Sequence, residues 1–248
     1  MARPLNQYFC FFLRKYLALQ PSIIYEDNHL LVIHKPPGWL VQGDKTGDRT
    51  LTDWGKDYIK KAYNKPGEVF LHPTHRLDRP VSGLVTMART SKALDRMNKL
   101  FREDEIKKTY LAQVSDSPER IADTLVHWLI KDQARNFVKA YSQRKPDGKR
   151  AELSYELLQK VKGVSILKVY PKTGRPHQIR VQLANIGCPI VGDLRYGNGD
   201  PNPDKSISLH AYELSFIHPV RKTPLSLTCV PKGPVWAELR HYLDELDR

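Results

Sequence analysis

Several features that mark common classes of protein are scarce or missing in this sequence. It has only three cysteines, Cys10, Cys188 and Cys229, which are far apart and odd in number. Their spacing argues against both a disulfide framework and a cysteine metal site. The nine histidines also lack metal-like spacing to carboxylates or thiols. No glycine-rich loop of the kind that cradles phosphates is present. We therefore expect no metal and no cofactor.

Long apolar runs are absent as well. No stretch approaches the roughly 20 residues that a membrane-spanning helix needs. The longest apolar cluster, residues 8–13, is followed by Arg14 and Lys15 and lacks the basic-first order and the cleavage site of a signal peptide. We expect a soluble, cytoplasmic protein without a membrane partner.

Acidic residues are few compared with basic ones. The chain has 27 Asp and Glu against 40 Lys and Arg, which leaves a formal net charge of +13. A polyanionic partner explains this imbalance, because basic groups release condensed counterions from phosphates and steer association. Nucleic acid is favoured over a membrane surface, since the apolar segments are too short for a span.

The pattern of apolar residues predicts an α+β fold with a mixed, largely antiparallel sheet. The 248 residues can bury a full core, as one large domain or two lobes. Helices are predicted from the Thr50 cap to about residue 64, after a Ser91 cap, at 176–186 and at 235–246. Residues 115–149 look polar and irregular. Strands are predicted at residues 23–25, 30–33, 69–71, 84–87, 107–114, 151–158, 164–169, 209–217 and 225–229.

The most informative stretch is residues 75–84, which read His-Arg-Leu-Asp-Arg-Pro-Val-Ser-Gly-Leu. One carboxylate, Asp78, stands among three basic side chains between two predicted strands, where sites are usually built. From these ten residues alone, the more common interpretation is that Asp78 caps a turn and that the arginines are solvated.

Three further stretches carry residues suited to a site. Residues 35–38 read Lys-Pro-Pro-Gly and form an extended loop after a strand. Residues 107–114 alternate as a strand with Tyr110 on an inward face, where a tyrosine is more often a packed aromatic. Residues 172–183 read Lys-Thr-Gly-Arg-Pro-His-Gln-Ile-Arg-Val-Gln-Leu. Helical spacing places Arg180 beside the buried stripe, where it can present a guanidinium to an enclosed carboxylate.

Taken together, these stretches resemble the motifs of the RluA-type pseudouridine synthases. The family's central motif has Thr where this chain has Val81, its first motif has Asn in place of His34, and its last has Thr in place of Pro176. Residues 189–197 resemble the continuation of that last motif. The resemblance implies the pseudouridine synthase fold, with a central basic cleft between two lobes, and an RNA isomerase.

The resemblance also implies roles for individual residues. Asp78 would be the catalytic residue, Tyr110 would lie against the target base, and Arg180 would pair with Asp78. Arg76 would enter the space that the extruded nucleotide leaves. Further substrate-binding residues would be His75, Arg79, Lys35, Arg175, His177 and Leu183.

Pseudouridylation breaks the bond between N1 of uracil and the ribose and rejoins the base through C5. It requires an ionised carboxylate beside the sugar, a cation to hold it and a closed pocket. Burial raises the pKa of a carboxylate, whereas a guanidinium in contact lowers it. We expect Arg180 to form a planar, two-pronged pair with Asp78. Whether Asp78 acts as a nucleophile or removes a ribose proton stays open.

Two other functions compete with this interpretation. A non-catalytic RNA-binding protein with the same fold fits the charge and the aromatics equally well. A glycosidase with an Asp nucleophile would need a second carboxylate, and none stands out. The joint presence of Asp78, Tyr110 and Arg180 favours the synthase, because binding alone would not demand all three.

The expected substrate is structured RNA. We expect tRNA to be favoured over rRNA, because the pair Arg79 and Pro80 resembles the branch that contains tRNA pseudouridine synthase C. Basic and aromatic residues around the 146–148 turn predict a hairpin that contacts RNA. We also expect a monomer. Residues 1–20 are predicted to be an N-terminal extension and residues 21–248 the catalytic domain, without a separate RNA-binding module.

Overall fold

The computed structural model describes residues 20–161, 163–197 and 199–239. The predicted N-terminal extension, except for Gln20, lies outside the described residues. Of the helix predicted at 235–246, the described part is a 3-10 helix, Pro234–Leu239. Within the described ranges the chain forms eleven strands and three α-helices.

The helices are α1 (Leu51–Ala62), α2 (Ser91–Arg102) and α3 (Gln178–Asn185). The strands are β1 (Ser22–Glu26), β2 (Leu30–Lys35), β3 (His72–Pro73), β4 (Ser82–Ala88), β5 (Lys107–Val114), β6 (Ala122–Asp132), β7 (Phe137–Tyr141), β8 (Lys149–Val161), β9 (Val164–Pro171), β10 (Leu209–Ile217) and β11 (Pro224–Thr228).

All eleven strands join one sheet with the order β1-β2-β4-β10-β5-β9-β8-β6-β7, to which β3 adds beside β4 and β11 beside β10. Every pairing is antiparallel except that of β4 with β10. The predicted α+β class with a mixed, largely antiparallel sheet is confirmed. Because β10 inserts between β4 and β5, a strand from late in the chain joins two strands from its first half.

Helices cover both faces of the sheet at its β2–β4 end, which explains why β2 is buried along its whole length. Leu31 and Ile33 share a core cluster with residues of α1. The alternate residues Leu30 and Val32 share another with Met97 of α2. Successive strand residues point to opposite faces, so a strand with two covered faces is apolar throughout.

The helix starts follow from hydroxyl caps. Thr50 and Asp53 form a reciprocal capping box at α1, with the Asp53 amide donating to Thr50 Oγ1 at 3.1 Å. At α2 the cap is Thr90, whose Oγ1 accepts from the Ala93 amide at 3.1 Å. The prediction of Ser91 was therefore one residue late.

Three sequence predictions differ from the structure. Residues 69–71 form no strand, although Val69 and Leu71 are buried in the core. The stretch expected to be irregular contains β6 and β7. The 146–148 turn is not the tip of a simple hairpin either, because β6 lies between β7 and β8 in the sheet. The hairpin is instead β6–β7, with its turn at residues 133–136.

Gly83 permits the parallel contact between β4 and β10, directly after the segment that carries Asp78. Its φ is +122°, and a Cβ there would lie 2.4 Å from the carbonyl oxygen of Ala211 and 2.5 Å from its nitrogen. These are backbone atoms of the neighbouring strand, so they cannot move aside as a side chain would. Only glycine fits both the φ angle and the approach.

Gly83→Ala is expected to lower the free energy of unfolding by about 3 kcal/mol or more, through backbone strain and steric overlap. Gly67→Ala is the matched control, because Gly67 has no atom within 4 Å of a built Cβ and no positive φ. It should cost less than about 0.5 kcal/mol. Denaturant unfolding of both variants measures the difference, and equal stabilities would contradict the role given to Gly83.

Candidate active site

Asp78 and Arg180 are 102 positions apart in the chain and meet in the structure. Arg180 Nη1 donates to Asp78 Oδ2 at 2.8 Å. Asp78 lies between β3 and β4, in a turn that a bond from the Val81 amide to the Asp78 carbonyl closes. Arg180 lies on α3 and is 7% exposed, whereas the Asp78 side chain is 30% exposed. The buried cation therefore holds a carboxylate that remains open to a ligand.

Asp193 holds the same guanidinium from its other edge. Arg180 Nε donates to Asp193 Oδ2 at 2.7 Å, and Arg180 Nη2 donates to Oδ1 at 2.9 Å. The predicted two-pronged pair with Asp78 is wrong, because this edge is taken by Asp193 and Asp78 receives a single bond. The planar fork fixes the direction of Nη1 independently of Asp78.

The neighbouring carboxylates keep Arg180 protonated. Burial acts to lower its pKa, but the hydrogen bonds and negative charges of Asp193 and Asp78 outweigh burial and raise it. Two carboxylates thus share one permanent cation. Asp193 is 1% exposed and both of its oxygens are hydrogen-bonded, so Asp78 is the carboxylate of the two that is open to a ligand.

The start of α3 differs from the sequence prediction. Pro176 was expected in the first turn, but His177 precedes the helix in the left-handed region with φ +53°. Gln178 stabilises this entry, since its Oε1 accepts from Thr173 Oγ1 at 2.8 Å and from the Arg175 amide at 2.9 Å. The tight entry turns His177 towards the site, with Nε2 3.9 Å from Asp78 Oδ2.

Tyr110 of β5 and Asp78 line one small pocket of about 130 Å³, here named the inner pocket. A cavity of roughly 150 Å³ accommodates a benzene ring, so the inner pocket suits one flat ring and no base pair. Burial raises the pKa of the Tyr110 hydroxyl, and the charge of Asp78 raises it further. The phenol is therefore protonated at neutral pH.

A larger depression of about 640 Å³, here named the outer groove, adjoins the inner pocket, and both are lined by Asp78. Two carboxylates, Asp44 and Asp78, line the outer groove. Its cationic side chains are Arg76, Arg79, Lys131, Arg175, Arg180 and Arg195. The excess of positive charge makes this surface suitable for a polyanion.

Among the predicted substrate-binding residues, Arg76 is the most available. It is exposed at the rim of both cavities, and among the described residues it has neither a hydrogen bond nor an ion pair. Arg79 pairs with Asp48 at 2.7 Å and donates to the Gly38 carbonyl at 3.0 Å. Arg175 donates to the Arg150 carbonyl at 3.1 Å.

His75 is placed to hold the backbone. Its Nε2 accepts from the Thr86 amide at 3.0 Å, and its ring lies 5.0 Å from that of Phe101. Burial, with a smaller contribution from the charge of Lys108, lowers the pKa of His75 to about 4. The neutral ring therefore ties the segment before Asp78 to β4.

Lys35 and Leu183 lie in the interior, which differs from the expectation that they contact substrate. Leu183 is completely buried in the main core cluster. The Lys35 ammonium is also buried, and it donates to the carbonyls of Pro36, Trp39 and Arg79 at 2.9–3.1 Å. Burial lowers the pKa of Lys35 to about 7, although the charge of Asp78 opposes this. Lys35 thus joins the 36–39 loop to the segment that carries Asp78.

Sequence reasoning assigned no role to Asp193 and Tyr196. Tyr196 lies with its ring centroid 5.2 Å from Cζ of Arg180, and its hydroxyl is 2.7 Å from His177 Nδ1. Both residues fall in the 189–197 stretch that resembles the family's motifs. That resemblance was the signal available, because periodicity does not show which arginine a distant acid will contact.

Two kinds of feature are absent from the described residues. No helix there has the length and hydropathy to cross a membrane. Nor do three or more His, Cys, Asp or Glu side chains in that part of the chain come together as a metal site would require.

Comparison with known proteins agrees with the sequence motifs. A family model described as RNA pseudouridylate synthase matches residues 29–185. The ribosomal large subunit pseudouridine synthase C of Buchnera aphidicola subsp. Acyrthosiphon pisum is 33% identical over 235 residues, covering 90% of this chain and 70% of that protein. The tRNA pseudouridine synthase C of Vibrio cholerae is 29% identical over 222 residues, covering 82% of this chain and 88% of that protein.

Solved structures share the fold. Human RNA pseudouridylate synthase domain containing 4 superimposes with a TM-score of 0.73 at 23% identity, over 96% of this chain and 98% of that chain. Human RNA pseudouridylate synthase domain containing 1 gives a TM-score of 0.68 at 24% identity, over 91% of this chain and 95% of that chain. With the family match and the sequence identities, these comparisons confirm that the chain belongs to the RluA-type RNA pseudouridine synthases, which are RNA isomerases.

Proposed function

We propose that this chain isomerises a specific uridine to pseudouridine in structured RNA, with Asp78 as the catalytic carboxylate. The observation that carries the proposal is the contact between Asp78 and Arg180, a half-buried acid held at 2.8 Å by a buried cation beside a pocket for one ring. Binding alone gives no reason for a carboxylate at this place, because it repels phosphate.

The two oxygens of Asp78 differ in their hydrogen bonds. Oδ2 accepts from Arg180, whereas Oδ1 accepts no hydrogen bond from the described residues. Oδ1 is thus the oxygen available to the ribose or the base. Either a nucleophilic attack or the removal of a ribose proton uses this oxygen, and both routes remain compatible with the geometry.

Tyr110 is proposed to provide a stacking surface for the uracil. Its ring lines the inner pocket together with Asp78, and base–aromatic stacking is worth about 1–3 kcal/mol. The raised pKa of its hydroxyl makes the phenolate unfavourable at neutral pH. We therefore assign Tyr110 to holding the base and not to acting as a general base.

The outer groove is proposed to bind the RNA backbone around the target nucleotide. Its arginines and Lys131 can neutralise phosphates, because Arg79, Arg175 and Arg195 line the same cavity. A uridine in a folded RNA must first leave its stack, at a cost of a few kcal/mol. Arg76, which has no partner among the described residues, lies at the rim and can fill the vacated space.

The preference for tRNA over rRNA stays a prediction. Relatives named for the ribosomal large subunit and for tRNA both match this chain. The monomeric state and the cytoplasmic location also stay predictions, as do the domain bounds 21–248.

Asp78→Asn should abolish pseudouridine formation, by about a thousandfold or more, because the amide cannot supply the ionised oxygen. RNA affinity should stay within about twofold of the wild type. The measurement is pseudouridine formation by the purified protein on tRNA and on large-subunit rRNA that lack the modification. Asp95→Asn, the same change on the exposed face of α2, is the control. Product from clean Asp78→Asn protein would refute the assignment and leave an RNA-binding protein.

Arg180→Met should cost about 3–5 kcal/mol of stability, because Asp193 and Asp78 are then left without their shared cation. Turnover should be lost as well. Arg180→Lys keeps the charge but cannot bind both carboxylates. Its stability should therefore fall between those of the wild type and Arg180→Met. Denaturant unfolding measures the series, and an Arg180→Met variant as stable as the wild type would contradict the shared ion pair.

Arg76→Ala should lower turnover at least about tenfold more on a folded stem–loop than on a flexible single strand of the same sequence, since only the folded substrate must be unstacked. Arg102→Ala, which removes an exposed arginine at the end of α2, is the charge-matched control. Single-turnover assays measure the loss of turnover on each of the two substrates. Equal losses on both would remove the proposed role in base extrusion.

A further inference from the structure

Tyr196 makes three contacts that the catalytic assignment has not used. Its hydroxyl oxygen accepts from the Val138 amide of β7 at 3.0 Å and lies 2.7 Å from His177 Nδ1. Its ring covers the guanidinium of Arg180. A single side chain thus connects the β6–β7 hairpin with both residues that face Asp78.

The direction of the bond between Tyr196 and His177 follows from the other partner. The Val138 amide can only donate, so the phenol oxygen is already an acceptor. Within the described part of the chain the phenol proton has no other acceptor than His177 Nδ1. Donation from Tyr196 to Nδ1 is the arrangement that gives the phenol proton an acceptor within the protein, and it requires the lone pair on Nδ1.

A neutral His177 ring carries one N–H proton, on either Nδ1 or Nε2. Burial lowers its pKa, although the charge of Asp78 opposes this, so the ring is neutral at neutral pH. When Nδ1 accepts from Tyr196, the ring proton must be on Nε2, because the hydrogen bond at one ring nitrogen sets the state of the other. Nε2 lies 3.9 Å from Asp78 Oδ2.

We propose that Tyr196 is a positioning residue that sets the tautomer of His177, so that an Nε2–H group and not a lone pair faces the catalytic carboxylate. The inference rests on the proposed role of Asp78. The N–H dipole adds to Arg180 on the Oδ2 side and leaves Oδ1 for the nucleotide. With the other tautomer, a lone pair would face Oδ2 and repel it.

The surroundings hold Tyr196 in place for this role. Arg195, its neighbour, donates to the carbonyls of Arg135 and Asn136 at 3.2 and 2.5 Å. The left-handed backbone of His177 aims the ring at Tyr196, since a helical φ there would redirect the side chain. Phe137 packs 5.0 Å from the Tyr196 ring.

The tautomer can be measured on the full chain without RNA. Two-bond proton–nitrogen NMR correlations of the imidazole rings distinguish Nε2–H from Nδ1–H, and His177→Gln identifies the His177 signals by their loss. The wild type should show Nε2–H. Tyr196→Phe keeps the ring and removes the donor, so His177 should shift to Nδ1–H or to a mixture. A wild type with Nδ1–H, or an unchanged pattern in Tyr196→Phe, would overturn the proposal.

Kinetics provide the second readout. Tyr196→Phe should lower kcat about tenfold, because it changes the hydrogen-bond group that faces Asp78. It should leave KM within about twofold, because it does not change the cationic side chains of the outer groove. Tyr155→Phe is the control, since it removes another tyrosine hydroxyl, bonded to the Arg120 carbonyl, away from the site. It should not change kcat.

A double-mutant cycle separates positioning from a general structural effect. Glutamine at position 177 places an amide N–H near the position of Nε2 and has no tautomer to set. Adding Tyr196→Phe to His177→Gln should therefore cost much less than tenfold. An equal cost in both backgrounds would show that Tyr196 acts only through stability and would refute the proposal. If the wild type formed no pseudouridine, the proposed function would fail, whereas the NMR spectra would still decide the tautomer.

Discussion

One guanidinium shared by two carboxylates holds this site together. Removing such ions from water costs several kcal/mol per ion, and the cost is recovered only when each polar group has a partner. Arg180 meets this condition with two bonds to Asp193, one to Asp78 and the Tyr196 ring over its face. The position of Asp78 is therefore set by a cation that a different acid has already oriented.

The fold brings these groups together by a few close backbone approaches. The short parallel contact of β4 with β10 joins the two halves of the chain next to Asp78, and Gly83 makes it possible. Directly after Asp78, the buried ammonium of Lys35 binds the Arg79 carbonyl and two carbonyls of the 36–39 loop. Before Asp78, the His75 ring accepts a hydrogen bond from an amide of β4. The segment that carries Asp78 is thus held on both sides, which limits the reorganisation needed when a ligand binds.

Local patterns predicted much of this fold and less of the site. Alternation located β5, β8 and β9, and the hydroxyl of Thr50 located the start of α1, because these signals depend on near neighbours. The β6 strand was missed because Leu125 and Leu129 alternate with the equally apolar Val126 and Ile130, while a histidine takes the inward position 127. Neither the left-handed His177 nor the pairing of Arg180 with Asp193 has a local signal, since both depend on the final packing.

The same residue type does two different tasks in this site, and the environment decides which. Asp193 is almost fully buried, both of its oxygens accept from Arg180, and it has no capacity left for a substrate. Asp78 shares the same cation but keeps one oxygen without a partner among the described residues, and it opens to a pocket for one ring. A carboxylate that is both oriented and incompletely satisfied can still contact a ligand. Burial and hydrogen-bond count, which the sequence does not display, therefore distinguish the acid that is open to a ligand from the supporting one.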